Sequence, residues 1–187
     1  MATQARARLL DAAEDLFYAE GIRAVGVDRI LSVSGVGRAS FYRHFASKDE
    51  LVVAVIQGRD MRWRQWLRES VEARELPPEQ RPLAVFDALA ERFARQDFRG
   101  CAFINTMVEA ADRDSAAHQV AAAHKRKVVD YLDQLLADAG YAEHAALADQ
   151  LVLLIDGAIV TAVREGTVEP ALRARRIAAS VLAAERD

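Results

Sequence analysis

Glycine and proline together make up only 13 of 187 residues, while alanine makes up 37, about a fifth of the chain. Few backbone breakers and many of the best helix formers constrain the fold to helices. The apolar residues agree. Leu9, Ala13, Leu16 and Phe17 recur at steps of three and four, and no strand-like alternation or internal repeat is present. The length suits one medium domain or a small module joined to a larger one. At this size roughly 70% of the unfolded surface can be buried, so a core forms without staples. The single cysteine, Cys101, cannot form an internal disulfide, which makes a cytoplasmic protein the expectation. No apolar run approaches the ~20 residues of a membrane helix, and Arg6 and Arg8 precede no apolar signal segment.

The punctuation predicts nine helices. The first covers 3–20 and is stopped by Gly21; a short second covers 27–34, with Gly26 as N-cap. Ser34-Gly35-Val36-Gly37 is a tight turn, and a third short helix covers 38–45. Ser47 followed by Glu50 is a capping box opening a long helix over 48–74, which Pro77 and Pro78 end. A fifth helix carries Leu83, Phe86, Leu89, Ala90 and Phe93. Helices over 102–111, 115–139, 143–165 and 170–184 complete the set, with Gly140 and Gly166 as stops. On the seventh, Val120, His124, Val128, Tyr131 and Leu135 share a face.

Charge divides along the chain. Residues 1–48 hold seven basic and five acidic side chains, a net +2, which leaves −5 for the rest of a −3 chain. From Ile30 to Lys48 there is no acid. A local cationic face on an acidic protein suits contact with nucleic acid, because attraction need act only where the phosphates sit. Two short helices joined by a glycine turn give the helix-turn-helix geometry, whose second helix enters the major groove. In that helix Phe41 and Phe45 share the inner face. Arg38, Ala39, Ser40, Tyr42, Arg43 and His44 point elsewhere. Arg38 at the helix start can hold guanine O6 and N7, and Ala39 can touch a thymine methyl. Ser40 suits a base or a phosphate; Tyr42, His44 and Lys48 suit phosphates.

This stretch resembles the tetracycline-repressor (TetR) family of bacterial transcription regulators. The resemblance is carried by Leu10-Asp11-Ala12-Ala13 with Leu16-Phe17, Gly21-Ile22, Val27-Asp28-Arg29-Ile30, and the run from Gly35 through Arg38-Ala39-Ser40-Phe41-Tyr42-Arg43-His44-Phe45 to Leu51. The family usually has serine or threonine where this chain has Gly26 and Gly37, so two capping hydroxyls, one often on phosphate, are absent. Phe98 to Asn105 looks like a subgroup of the family. The resemblance implies an all-α homodimer: a three-helix DNA-binding module over 1–47, joined to an antiparallel helical bundle over 48–187 that binds a small-molecule effector and dimerises through its last two long helices. It further implies repression as the commoner outcome; two reading helices in successive major grooves make the expected operator a near-palindrome, and the residues call for no cofactor.

For the effector pocket the candidates are Trp63, Trp66, Phe86, Phe103, Met107 and Tyr131, with Asn105 and Asp156 as polar anchors. Each aromatic is open between plain core packing and lining a cavity, since pockets between bundle helices are mostly apolar. Asp156 interrupts an apolar stretch, where an unpaired carboxylate is costly; Arg164, a partner chain or a ligand could each answer it. For the dimer interface the candidates are Leu154, Gly157, Ala158, Thr161, Ala162, Ala178, Val181 and Leu182, small and apolar residues that permit close approach. His124-Lys125-Arg126-Lys127 reads as a solvated stripe, and Cys101 as packing or a redox sensor. His44, His118, His124 and His144 have no metal-ligand spacing, and no phosphate loop or nucleophile elbow is present. An enzyme is not expected. The alternative class is a ligand-binding bundle, or an enzyme, with a vestigial N-terminus.

Overall fold

The computed structural model describes residues 2–110 and 112–185, the side chains of Ala2 and Thr3 excepted. Among these residues there are nine α-helices and no strand: α1 (Ala2–Glu20), α2 (Val27–Ser34), α3 (Arg38–His44), α4 (Lys48–Glu72), α5 (Arg81–Phe93), α6 (Ala102–Glu109), α7 (Ala116–Asp138), α8 (His144–Glu165) and α9 (Glu169–Ala184). Two compact units result. One is the chain up to Met61 with Ala102–His124; the other is Arg62–Cys101 with the chain from Lys125 on.

The first unit is built on glycine punctuation and a few large side chains. Gly21, at φ 94°, ends α1 and donates its N–H to the Phe17 carbonyl at 3.1 Å. Only glycine adopts that backbone without strain. Gly26 and Gly37 cap α2 and α3 through extended backbone alone, as expected of residues with no hydroxyl. Leu9, Ala13, Leu16 and Phe17 of α1 are buried, and α1 packs on both α2 and α3. Phe41 of α3 and Phe45, which caps its end, are both buried, with ring centroids 6.1 Å apart. Ser47 caps α4: its Oγ accepts the Glu50 N–H at 3.1 Å. The reciprocal bond is shifted by one residue, Glu50 Oε2 accepting from the Ala46 N–H at 2.6 Å.

The second unit has the larger core. Leu67 and Val71 of α4, Val85, Phe86 and Leu89 of α5, Leu132 and Leu136 of α7, and Leu147, Leu151 and Ile155 of α8 are buried together. On α9, Ala171, Ala174 and Ala178 form the buried stripe, and their small side chains let α9 lie against both α5 and α8. By length and composition α8 alone among the described helices could cross a membrane, although no continuous apolar run in the sequence is long enough. One stripe of it, with Leu147, Leu151, Ile155 and Ala158, is buried in this core, while Leu153, Val160 and Val163 are exposed.

Most helix ends fall within one or two residues of the sequence reading, and the clearest difference lies between α4 and α5. α4 stops at Glu72, ahead of the prolines, in a turn where Glu75 takes a left-handed φ of 50°. The proline pair then opens a single 3-10 turn, Pro78–Gln80, that periodicity does not reveal. The expected end of the sixth helix, Ala111, lies outside the described residues.

Phe41 is fully buried beneath a seven-residue helix. Phe41→Ala is expected to destabilise the fold by about 3–5 kcal/mol, read by urea denaturation; a loss below about 1 kcal/mol would remove Phe41 as the anchor.

Candidate nucleic-acid interface

Anchoring Phe41 and Phe45 decides what α3 shows to solvent. Arg38, Ala39, Tyr42 and Arg43 are exposed, and Ser40 and His44 are half-buried at the edges. Tyr42 is half exposed, and its ring stands edge-on to Phe41, centroids 5.1 Å apart at 84°. The phenol is therefore braced by the anchor. Arg38 pairs across the turn with Asp28 of α2, both side chains being well exposed. An exposed pair of this kind contributes little, ~0–1 kcal/mol, so the guanidinium is readily released to a stronger anion. Asp28 stands just before the acid-free stretch, and its pairing with Arg38 is not apparent from the sequence. Lys48 is less open: its Nζ donates to the Ile22 carbonyl at 2.5 Å and lies 5.9 Å from the Phe17 ring. An ammonium carries three N–H donors, so two remain for phosphate.

The eight effector candidates fall in both compact units. Phe103, Asn105 and Met107 belong to the first, and Trp63, Trp66, Phe86, Tyr131 and Asp156 to the second. Phe103 is buried and stacks on His124, centroids 3.4 Å apart. Asn105 is exposed beside a small cleft with Glu14 and Phe17, and Met107 is half-buried. Phe86 is fully buried in the second core. Trp63 and Trp66 are half-buried and meet edge-on at 5.8 Å, with the Arg92 guanidinium 4.5 Å over Trp66. Tyr131 lies on a groove of about 500 Å3 with Arg64, Arg68 and Arg81. Asp156 pairs with Lys125 of α7; Arg164, offered by the sequence as its partner, bonds Glu165 instead at 3.0 Å.

His124 corrects the reading of residues 124–127 as a solvated stripe. It is buried, and its Nδ1 lies 2.8 Å from Asp60 Oδ1, a carboxylate of α4 that is itself buried. Its alignment with Val120 and Val128 was the usable signal. Among the dimer candidates, Ala158, Ala162, Ala178 and Leu182 are buried within their own fold; Leu154, Thr161 and Val181 are half-buried, and Gly157 is exposed. The outer face of α8 and α9 carries Leu153, Val160, Val163 and Ile177 instead, with Leu153 75% exposed. A shallow groove of about 300 Å3 runs between Leu153, Gly157, Thr161 and Ile177.

Residues 9–55 match the family described as bacterial regulatory proteins, tetR family. Residues 78–177, more than half of the chain, match the C-terminal domain of LmrA/YxaF-like transcriptional regulators. SCO4454, a TetR-family transcriptional regulator from Streptomyces coelicolor, has the same fold with a TM-score of 0.91 and 32% identity, over 99% of this chain and 97% of that one. The chain belongs to the TetR family. It is a TetR-family transcriptional regulator with a helix-turn-helix DNA-binding domain. The repressor NemR of Escherichia coli is 26% identical over 132 residues, 70% of this chain and 66% of NemR. The activator FasR of Mycolicibacterium smegmatis is 44% identical over 52 residues, 28% of this chain and 24% of FasR. The matched stretches thus span less than two thirds of either relative. As a TetR-family chain its kinship is with regulators rather than enzymes. Among the described residues no cluster of metal-ligating side chains is found.

Within this TetR-family bundle, burial pushes the Tyr131 phenol above its ordinary range, and the Glu72 carboxylate adds to the rise while Arg68 and Arg81 oppose it. The folded state therefore favours the neutral phenol. Its contribution to stability is full below pH about 10 and is lost as pH rises through the elevated pKa. In a difference titration of wild type against Tyr131→Phe, the missing phenol is expected to ionise above the usual tyrosine range; ionisation at the usual value contradicts this.

Proposed function

We propose that this regulator binds a near-palindromic operator as a homodimer, represses, and is released by a small-molecule effector in the cytoplasm. The observation that carries the reading is the outer face of α3, where Arg38, Ala39, Tyr42 and Arg43 are exposed above two buried phenyl rings. Residues 1–47 supply the reading head and 48–187 the effector and dimer functions. Arg38, at the start of α3, reads guanine; Ala39 and Ser40 lie beside it against the neighbouring bases. Tyr42, Arg43, His44 and Lys48 hold phosphates and fix the register.

Repression is favoured because the NemR match runs through 70% of the chain, whereas the FasR match covers only 28%. For the effector we favour the half-buried Trp63, Trp66 and Tyr131, whose surfaces a ligand can reach, with Phe86 behind them as packing. Dimerisation uses Leu153, Leu154, Gly157, Thr161, Ile177 and Val181. An apolar face of this extent on two adjacent helices favours a self-complementary two-fold contact. Two copies then present α3 to successive major grooves, ~34–36 Å apart. An effector releases the DNA only if it binds the state with spread reading heads better.

DNA recovered from a genomic library by the bound protein is expected to share a near-palindrome; recovery without a common sequence opposes the proposal. On that DNA, Arg38→Ala should lose ~1–3 kcal/mol concentrated at one base position, while Arg43→Ala weakens all sequences alike and flattens the salt slope. Gel shifts across operator variants and salt separate the two, and equal losses everywhere defeat the division of roles. Leu153→Arg is expected to convert a dimer to a monomer in sedimentation; an unchanged dimer places the interface elsewhere.

A further inference from the structure

The turn between α1 and α2 is held in a way the DNA-reading residues do not require. Its Ile22–Arg23 peptide unit is gripped at both ends. The Ile22 carbonyl accepts from Lys48 Nζ at 2.5 Å, and the Arg23 N–H donates to Glu109 Oε2 at 2.7 Å. A cation thus sits on the negative end of one peptide dipole and an anion on its positive end. Lys48 opens α4 and Glu109 closes α6, so both grips come from outside the three-helix module, within the same compact unit.

The local sequence is fitted to this contact. A Cβ at Gly21 would lie 3.3 Å from Glu109 Oε2 and 3.5 Å from Oε1, so the carboxylate fills space that a side chain there would crowd. Gly21 also has a φ of 94°, so any other residue would be strained. Yet a carboxylate is poorly placed by helix electrostatics: Glu109 ends α6 and lies against the last turn of α1, and helix C-termini favour cations. A residue that breaks a local rule at one specific contact marks a functional constraint.

We infer that Glu109 is a positioning residue for DNA binding: by holding the Ile22–Arg23 peptide it sets the orientation in which α2 and α3 meet the duplex, and it joins the end of α6 to the reading head. Glu109 itself touches no DNA. Losing the hold leaves the head with more orientations to give up on binding, which weakens affinity without removing a phosphate contact. The inference rests on α3 as the reading helix, and one arm of its test is independent of DNA.

The full chain is compared with Glu109→Met, which keeps length but loses the acceptor, and Glu109→Gln, which keeps an oxygen acceptor without the charge. By amide hydrogen exchange, Glu109→Met is expected to expose the Arg23 N–H at least several-fold, with Glu109→Gln restoring most of the protection. On DNA recovered by the wild-type protein, Glu109→Met should bind roughly 3–10-fold more weakly, with an unchanged salt slope and an active fraction, from stoichiometric titration, equal to wild type. Glu109→Gln should recover most of that affinity. Unchanged Arg23 exchange, equal or tighter binding by Glu109→Met, or a loss accounted for by a smaller active fraction overturns the inference. If the wild type selects no DNA, the reading-head assignment fails separately, and the exchange arm still decides whether the grip exists.

Discussion

A seven-residue helix has no stability of its own in water, because nucleation fixes several residues before the first hydrogen bond forms. α3 exists because Phe41 and Phe45 are buried in the first unit, where α1 packs on both α2 and α3. Everything proposed for DNA follows from that burial. With two of seven or eight positions committed to the interior, helical geometry leaves Arg38, Ala39, Tyr42 and Arg43 no direction but outward. The Arg38–Asp28 pair and the edge-on Tyr42 ring arrange the outward side chains without immobilising them.

A reading helix must also be aimed. The module before α4 is small, and its connection from α1 to α2 is a short turn with a left-handed glycine at its start. Opposite charges on one peptide unit of that turn are a compact way to aim it, because a hydrogen bond to a charged group is stronger than one between neutral groups. The buried Asp60–His124 contact, stacked by Phe103, joins α4, α6 and α7 in the same unit. The elements that grip the turn are thus themselves tied together.

Much of this was legible in the sequence, and the legible part was local. Gly21, Gly35 and the Ser47–Glu50 cap acted where they stand, so helix ends fell close to their expected places. Phe41 and Phe45 followed from a four-residue spacing. What was hidden depended on residues far apart in the chain. Nothing near Lys48 names Ile22, and nothing near Asp156 names Lys125 in place of Arg164. On α8, apolar residues surround the helix, so composition could not say which stripe a neighbour covers. Within the chain α9 packs on α8, Ala158 and Ala162 are buried, and Leu153 and Val160 stay outside. For the effector candidates, residue type alone does not separate Phe86 in the core from the half-buried Trp63.

The central claim is that α3 lies in the major groove and its symmetry mate does so one turn away. Methylation protection at guanine N7, which lies in the major groove, tests this on the DNA the protein selects. The account predicts two protected patches about one helical turn apart, on the same face of the duplex. Protection confined to minor-groove adenine N3, or a single patch with no counterpart, would contradict it.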